Sequence, residues 1–313
     1  MSSWFFADAG LVLLVLAIGA STIFAKKAFD AAIAFVVYGL LLAIAWVRLS
    51  AIDVALTEAA IGGGMTGTLL LGAVARLRSA EPDSTRIGLP VRLATGFCCA
   101  LVAAGLAGVL LLLPEAIPTL APAVMENLVH TGLGNPVAGV LFAYRALDTL
   151  LEKVVLMLAL LGVWSLAPNN AWNGVPGLRL YGRPNSTLAF LAQLLPPVGI
   201  VVGIYMCWVG ANDPGGAFQG GTILAAMWLL VIIARLENAP SIGQLWLRVG
   251  LVVGPAVFLA VGLAGLVLAN GFLAYPPGYA KPFIVTIEFA LTISIAVVLA
   301  MLAAGPPKQV KQE

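Results

Sequence analysis

Residues 198–233 read VGIVVGIYMCWV, then GANDPGGAFQGG, then TILAAMWLLVII: two apolar runs joined by an Asn, an Asp, a Pro and five glycines. The runs do not alternate apolar with polar residues, so neither is a strand of a membrane barrel. With its flanking residues each approaches the roughly 20 residues that carry an α-helix across ~30 Å of hydrocarbon. The join between them is not helix. Pro214 lacks the N–H that a helix interior needs, and the glycines beside it allow a tight turn that packs closely under other helices. The stretch therefore specifies a helical hairpin in lipid, with the next helix starting near Phe218 and Gln219.

The same pattern extends over the whole chain. Of 313 residues 61% are hydrophobic and 10% charged, and the mean hydropathy is +1.05. Those values exclude a soluble globular domain. The fold class expected is an all-α polytopic membrane protein with nine spans, at about 8–25, 28–49, 51–75, 93–113, 148–167, 188–209, 217–236, 249–269 and 282–304. The N-terminus, MSSWFFADAG, carries no Lys or Arg and no small-residue cleavage site, and reads as a first span.

Lys and Arg collect on the cytoplasmic side of membrane proteins. With the N-terminus outside, the inner segments hold Lys26, Lys27, Arg76, Arg78, Arg86, Arg92, Arg179, Arg183, Arg235, Arg248, Lys308 and Lys311. The outer side holds only Arg48, Arg145, Lys153 and Lys281, and an odd number of spans leaves the C-terminus inside. Polar linkers divide the chain into three modules: residues 1–80 with three spans, 90–168 with two, and 187–305 with four. In the second module the segment after Pro114 is too polar and too broken by Pro and Gly to span, and is expected to lie at the interface as an amphipathic helix.

Cys98, Cys99 and Cys207 sit within apolar runs without a C-x-x-C, and His130 is the single histidine. No metal site or cofactor is expected, and no nucleophile–base pair or nucleotide loop marks an isolated enzyme.

Carboxylates inside the spans carry the functional signal, because a charge at mid-bilayer costs ~2.5–3.5 kcal/mol on insertion scales and is kept where it is paired or lines a hydrated path. The third span opens AIDVALTEAAIGGGMTG. Asp53 lies near its outer end and Glu58 about one and a half turns deeper, some 140° round the helix. Thr57 lies beside Glu58, and the run Gly62–Gly64 permits close helix approach or a break that exposes carbonyls. In the fifth span Arg145, Asp148 and Glu152 follow at i, i+3 and i+7, one helix face: a charged entrance or a subunit contact. In the last span Glu288 is met by Lys281 seven residues earlier, by a partner from another helix, or by an ion. Each carboxylate is a candidate for an ion path or for assembly.

The turn resembles the G-H-N-x-P-G-G-G-F turn in the B subunit of Mrp-type multisubunit cation/proton antiporters and its counterpart in membrane-bound hydrogenases. Gly210, Asn212, Pro214, Gly215, Gly216 and Phe218 match, while Ala211 replaces the His and Ala217 the third Gly. That leaves the turn a structural role. DVALTEAAIGGGMTGTLLL (residues 53–71) and NPVAGVLFAYRALDTLLEKVVL (residues 135–156) are similar to two segments in the tail of the large A subunit. The resemblance implies a tail of the A subunit fused to a B subunit, in a cell membrane of bacterial or archaeal type. It further implies large proton-pumping and small membrane subunits as partners, monovalent cations and protons as cargo, and no nucleic acid. It assigns Asp53, Glu58, Asp148 and Glu152 to a cation route. A redox-driven membrane arm with the cofactors on other subunits, or a pure assembly scaffold, stand as alternatives.

Overall fold

The computed structural model describes residues 3–77, 88–114, 119–172, 174–176 and 186–308. Arg78, Arg86, Arg179, Arg183 and Lys311, which enter the charge asymmetry, lie outside these residues. The chain is an all-α polytopic membrane protein. In order come α1 (Ser3–Phe24), α2 (Ala28–Arg48), α3 (Ile52–Glu58), a π-helical stretch (Ala59–Met65), α4 (Thr66–Leu77) and α5 (Leu89–Leu112). After them come α6 (Ala121–Leu128), α7 (Pro136–Gly139), a π-helical turn (Val140–Tyr144) and α8 (Ala146–Ser165). The last four helices are α9 (Ser186–Val209), α10 (Ala217–Ile233), α11 (Leu245–Leu268) and α12 (Ala280–Ala304).

Among the described residues seven helices are long and apolar enough to cross a membrane, with α3 to α4 counted as one run. Each of the nine expected spans has a helix, but two fall short of that standard. The α10 helix is only 17 residues long, and α8 carries Asp148, Glu152 and Lys153 in its first half.

The core is built around α12, which packs against α8, α9, α10 and α11. Ile284, Ile287, Leu291 and Met301 on α12 and Phe258 on α11 are fully buried. Helix contacts this close need small residues. A Cβ on Gly221 of α10 would stand 2.8 Å from Ile295 of α12. On α11, Pro255 cannot donate to the carbonyl one turn back. Ser294 repairs the gap, donating to Leu251 O at 3.1 Å and Gly250 O at 2.9 Å and accepting from Gly254 N at 2.8 Å. In lipid every such backbone group must find a partner inside the protein.

At the other end of the chain, α1 packs on α2, and Arg48 clasps Asp8 with two hydrogen bonds of 2.7 and 3.1 Å. The glycine run permits the close helix approach that its composition allows. A Cβ on Gly39 of α2 would stand 2.9 Å from the backbone of Gly62 and Gly63, and the stretch around them winds as π-helix. By contrast no residue of α5 is buried.

From residue 119 onward the segment after Pro114 differs from the expected interfacial helix. It folds inward, with Leu128, Leu133, Ala138 and Phe142 in the core and the Phe142 ring 6.0 Å from that of Phe258. Short helices broken at Gly132 and Pro136 let it bend where one amphipathic helix would have stayed straight. A two-residue antiparallel ladder, β1 (Val175–Pro176) with β2 (Pro307–Lys308), ties the second linker to the end of α12.

Candidate functional site

The turn after α9 holds a shape that only glycine adopts without strain. Gly216 has φ +124° and Gly215 φ +155°. Gly216 N donates to Met206 O at 2.8 Å, folding the chain back over the end of α9, and the helix of α10 starts at Ala217. This places Gly215 N towards α3, where it donates to Asp53 Oδ1 at 2.9 Å. Asn135 completes the junction. Its Oδ1 caps α7 by accepting from Val137 N at 2.9 Å. Its amide donates to Gly210 O and Asp213 O at 3.1 Å each, and to Asp53 Oδ2 at 3.4 Å. One buried Asn thus joins all three stretches of sequence.

Beneath this junction lies a cavity of about 330 Å³. Its polar lining includes Asp53 and Thr57 of α3, Asn135, Thr149, Glu152 and Lys153 of α8, Gln219 of α10 and Glu288 of α12. Gln219 donates to Thr57 Oγ1 at 3.2 Å and Asp53 O at 3.4 Å. Glu288 is 2% exposed, and its Oε2 has no hydrogen-bond partner among the described residues. A buried carboxyl oxygen left bare in this way is costly unless it carries a proton or meets a cation. A second cavity of about 380 Å³ includes Ser50, Asn212, Asp213 and Pro214 in its lining. Asp53, Val54, Asn135 and Val137 line both cavities and form the wall between them.

Of the carboxylates singled out in the sequence, Asp53, Glu152 and Glu288 meet at the first cavity. Glu58 does not line either cavity. Half-buried, it points away from Asp53 round the helix, and its Oε1 fills the space where Gly62 would carry a side chain. Asp148 is also outside, paired with Arg145 at 2.5 Å with both side chains more than half exposed. The single face expected for Arg145, Asp148 and Glu152 is not formed, because Arg145 precedes α8 with φ −129° and ψ 36°. Nor is Lys281 the partner of Glu288: its ammonium donates to Asn212 Oδ1 at 2.6 Å and pins the turn. Phe218 lines the cavity, and Pro214 and Asn212 stay in the turn.

Lys153 was counted in the sequence only as an outer basic residue. In the structure it is 7% exposed, 2.6 Å from Glu152 Oε1 and 4.8 Å above the centre of the Phe218 ring. A Lys in the apolar run LLEKVVLML was the signal available. The signal for Asn135 was the Asn-Pro pair, a helix start by its chemistry.

Comparison with known proteins follows the same seams. A domain model for MbhD, one of the subunits of MBH, matches residues 12–79, and one described as a domain related to the MnhB subunit of Na⁺/H⁺ antiporter matches residues 187–305. The two models match separate ends of the chain, with residues 80–186 between them. An uncharacterised protein of Methanocaldococcus jannaschii is 29% identical over 210 residues, which are 59% of this chain and 79% of that protein. Among solved structures, the Mrp complex from Dietzia sp. is similar over 97% of this chain with a TM-score of 0.69 and 22% identity. The chain spans 35% of the length of that partner in the comparison. The membrane-bound sulfane sulfur reductase, an archaeal respiratory membrane complex, is similar over 68% of this chain and 97% of its own, with a TM-score of 0.57 and 22% identity. Both solved structures are of complexes. The stretch similar to MbhD supplies Asp53 and Thr57 to the cavity, the stretch similar to MnhB supplies the turn and Glu288, and the residues between them supply Asn135, Glu152 and Lys153.

Proposed function

We propose that this chain is a membrane subunit of an Mrp-type cation/proton antiporter complex and that its cavity forms part of the cation or proton path. Glu288 carries the reading: a fully buried carboxyl group with a bare oxygen, facing a cavity to which two further carboxylates are brought from distant parts of the sequence. The second cavity, with Asp53 and Asn135 in the shared wall, serves as the approach from outside. In this reading Asp53, Thr57, Glu152 and Glu288 handle the ion, while Asn212, Pro214, Gly215, Gly216 and Lys281 hold the turn in place. Arg145, Asp148 and Glu58 belong to contacts with other subunits. The chain works as a transport component with no cofactor or metal of its own, among large proton-pumping and small membrane subunits. We place it in a bacterial or archaeal cell membrane, N-terminus outside and C-terminus inside, with modules at 1–80, 90–168 and 187–305.

A second reading puts the same module in a redox-driven membrane complex. The near-complete cover of the sulfane sulfur reductase chain and the match to an MbhD domain favour it. Identification of the subunits that co-purify separates the two, since redox partners bring their own metal centres.

The test of the ion path is Glu288→Gln. The amide keeps the shape and removes the ionisable group. The complex should assemble, and cation/proton exchange in proteoliposomes under an imposed ΔpH should fall at least about tenfold. Assembled complex with normal exchange would contradict the reading.

A further inference from the structure

Three carboxylates and one ammonium share the cavity, and the ammonium occupies only one of its possible partners. Lys153 sits on Glu152, whose side chain lines the cavity and is about half exposed. Its charge also lies over the Phe218 ring, and Phe218 follows the turn residue Gly216, where an added Cβ would stand 3.2 Å from Glu288 Oε1. Lys153 lines this cavity and a smaller one together with Leu291, which is one turn from Glu288 along α12. An ammonium on a flexible four-carbon stem is a compact charge able to change partners by rotating about that stem, and the Phe218 face holds it on the side of the cavity that the turn closes.

We propose that Lys153 is a tethered counter-ion that alternates between Glu152 and Glu288: Glu288 holds a proton while Lys153 pairs with Glu152, and gives it up when Lys153 arrives. The proposal rests on the reading of the cavity as an ion path and names the coupling step within it. In the first state Glu288 is a neutral acid, which accounts for a buried carboxyl group without a cation beside it. In the second the O–H bond of Glu288 breaks, its proton leaves to water in the path, and the ammonium takes its place. Glu152 is then an unpaired carboxylate that takes up a monovalent cation. One positive charge leaves and one enters, so the charge in the cavity does not change.

The other groups near Glu288 oppose its ionisation or leave it unaffected. Asp53 on α3 is a like charge. Cys207 on α9 is a buried thiol whose Sγ accepts from Thr292, one turn further along α12. Gln219 on α10 is a neutral amide, and α11 offers only Leu251 and Pro255 beside Lys153. Among the described lining residues, Lys153 alone can replace the proton.

Infrared difference spectra of the purified complex across pH read the protonated carboxyl band of Glu288, identified by its loss in Glu288→Gln. Lys153→Gln removes the replacing charge, and the band should persist to a pH at least about one unit higher than in the wild type. Glu152→Gln frees Lys153 for Glu288, and the band should vanish at a pH lower by a similar amount. No shift, shifts in one common direction, or the absence of a protonated Glu288 band in the wild type would overturn the proposal. If Lys153→Gln does not assemble, Glu152→Gln alters a half-exposed side chain and carries the test alone. Exchange measured on the same preparations keeps two failures apart. Opposite band shifts with normal exchange in Glu288→Gln leave the switch standing and remove the ion path. Unshifted bands with exchange lost in Glu288→Gln do the reverse.

Discussion

The two ends of the molecule solve the problem of burial in opposite ways. In the C-terminal half most of α12 is covered by the chain's own helices, and the glycines and Ser294 let neighbours approach until backbone polar groups are satisfied across helices. At the other end α5 has no buried residue and α1 has large apolar side chains exposed along its length. The difference teaches that the C-terminal half carries its own core, whereas the N-terminal helices leave most of their apolar surface uncovered by this chain. The cavity lies on the seam between the two, where Asp53 from the open half meets Glu288 from the closed half.

The largest expected effect that would break this comparison is at the seam itself. Gly216→Val places a branched side chain at φ +124° with its Cβ against Glu288 Oε1. Folded chain recovered in detergent should drop several-fold, since such strain costs ~1–3 kcal/mol before any clash. Recovery at the wild-type level would show that the turn does not need glycine. A smaller effect sharpens the contrast between the halves. Gly221→Val on α10 drives into Ile295 and should lower the unfolding temperature, in line with an overpacking cost of ~1–3 kcal/mol. Gly105→Ala on α5 meets nothing within 4 Å and should leave that temperature unchanged. An equal loss at both positions would mean that α5 is packed as tightly as α10.

A finer effect is expected outside the spans. Tyr275, in the loop before α12, donates to Phe142 O at 2.8 Å, and burial holds its phenol above its usual range. The phenol therefore remains a donor through neutral and mildly alkaline pH. Its contribution is complete below the ordinary tyrosine range and is lost only as the pH rises towards the raised value. Tyr275→Phe should cost about 1 kcal/mol at neutral pH, with the difference from wild type shrinking in strong alkali. A thermal unfolding series over pH checks both the size and the direction.

Much of the fold was legible because lipid imposes one rule on every segment: apolar runs of spanning length become helices, and Pro with Gly ends them. The turn at residues 210–216 and the carboxylates Asp53 and Glu288 could be picked out on that basis alone. Their convergence could not, because no local pattern states which helices meet. Lys153 looked like a surface charge, since a Lys near a helix end normally snorkels outward. In the structure it is buried, with Phe218 at the start of α10, far away in the sequence, covering its charge. Asn135 was hidden in a polar segment that composition placed at the interface, although its bonds to Gly210 and Asp213 draw that segment into the core. Arg145 looked helical because the period continued through it, whereas the π-helical turn at Val140–Tyr144 ends there and resets the face.

The central claim is that the buried cavity, and not the exposed charge cluster, handles the ion. ²²Na⁺ uptake driven by an imposed ΔpH, measured in one series of proteoliposomes containing wild-type, Asp53→Asn or Asp148→Asn complex, tests it most directly. Asp53→Asn should reduce uptake at least about tenfold, while Asp148→Asn should stay within about twofold of the wild type. Uptake preserved in Asp53→Asn and lost in Asp148→Asn, with both complexes intact, would contradict it.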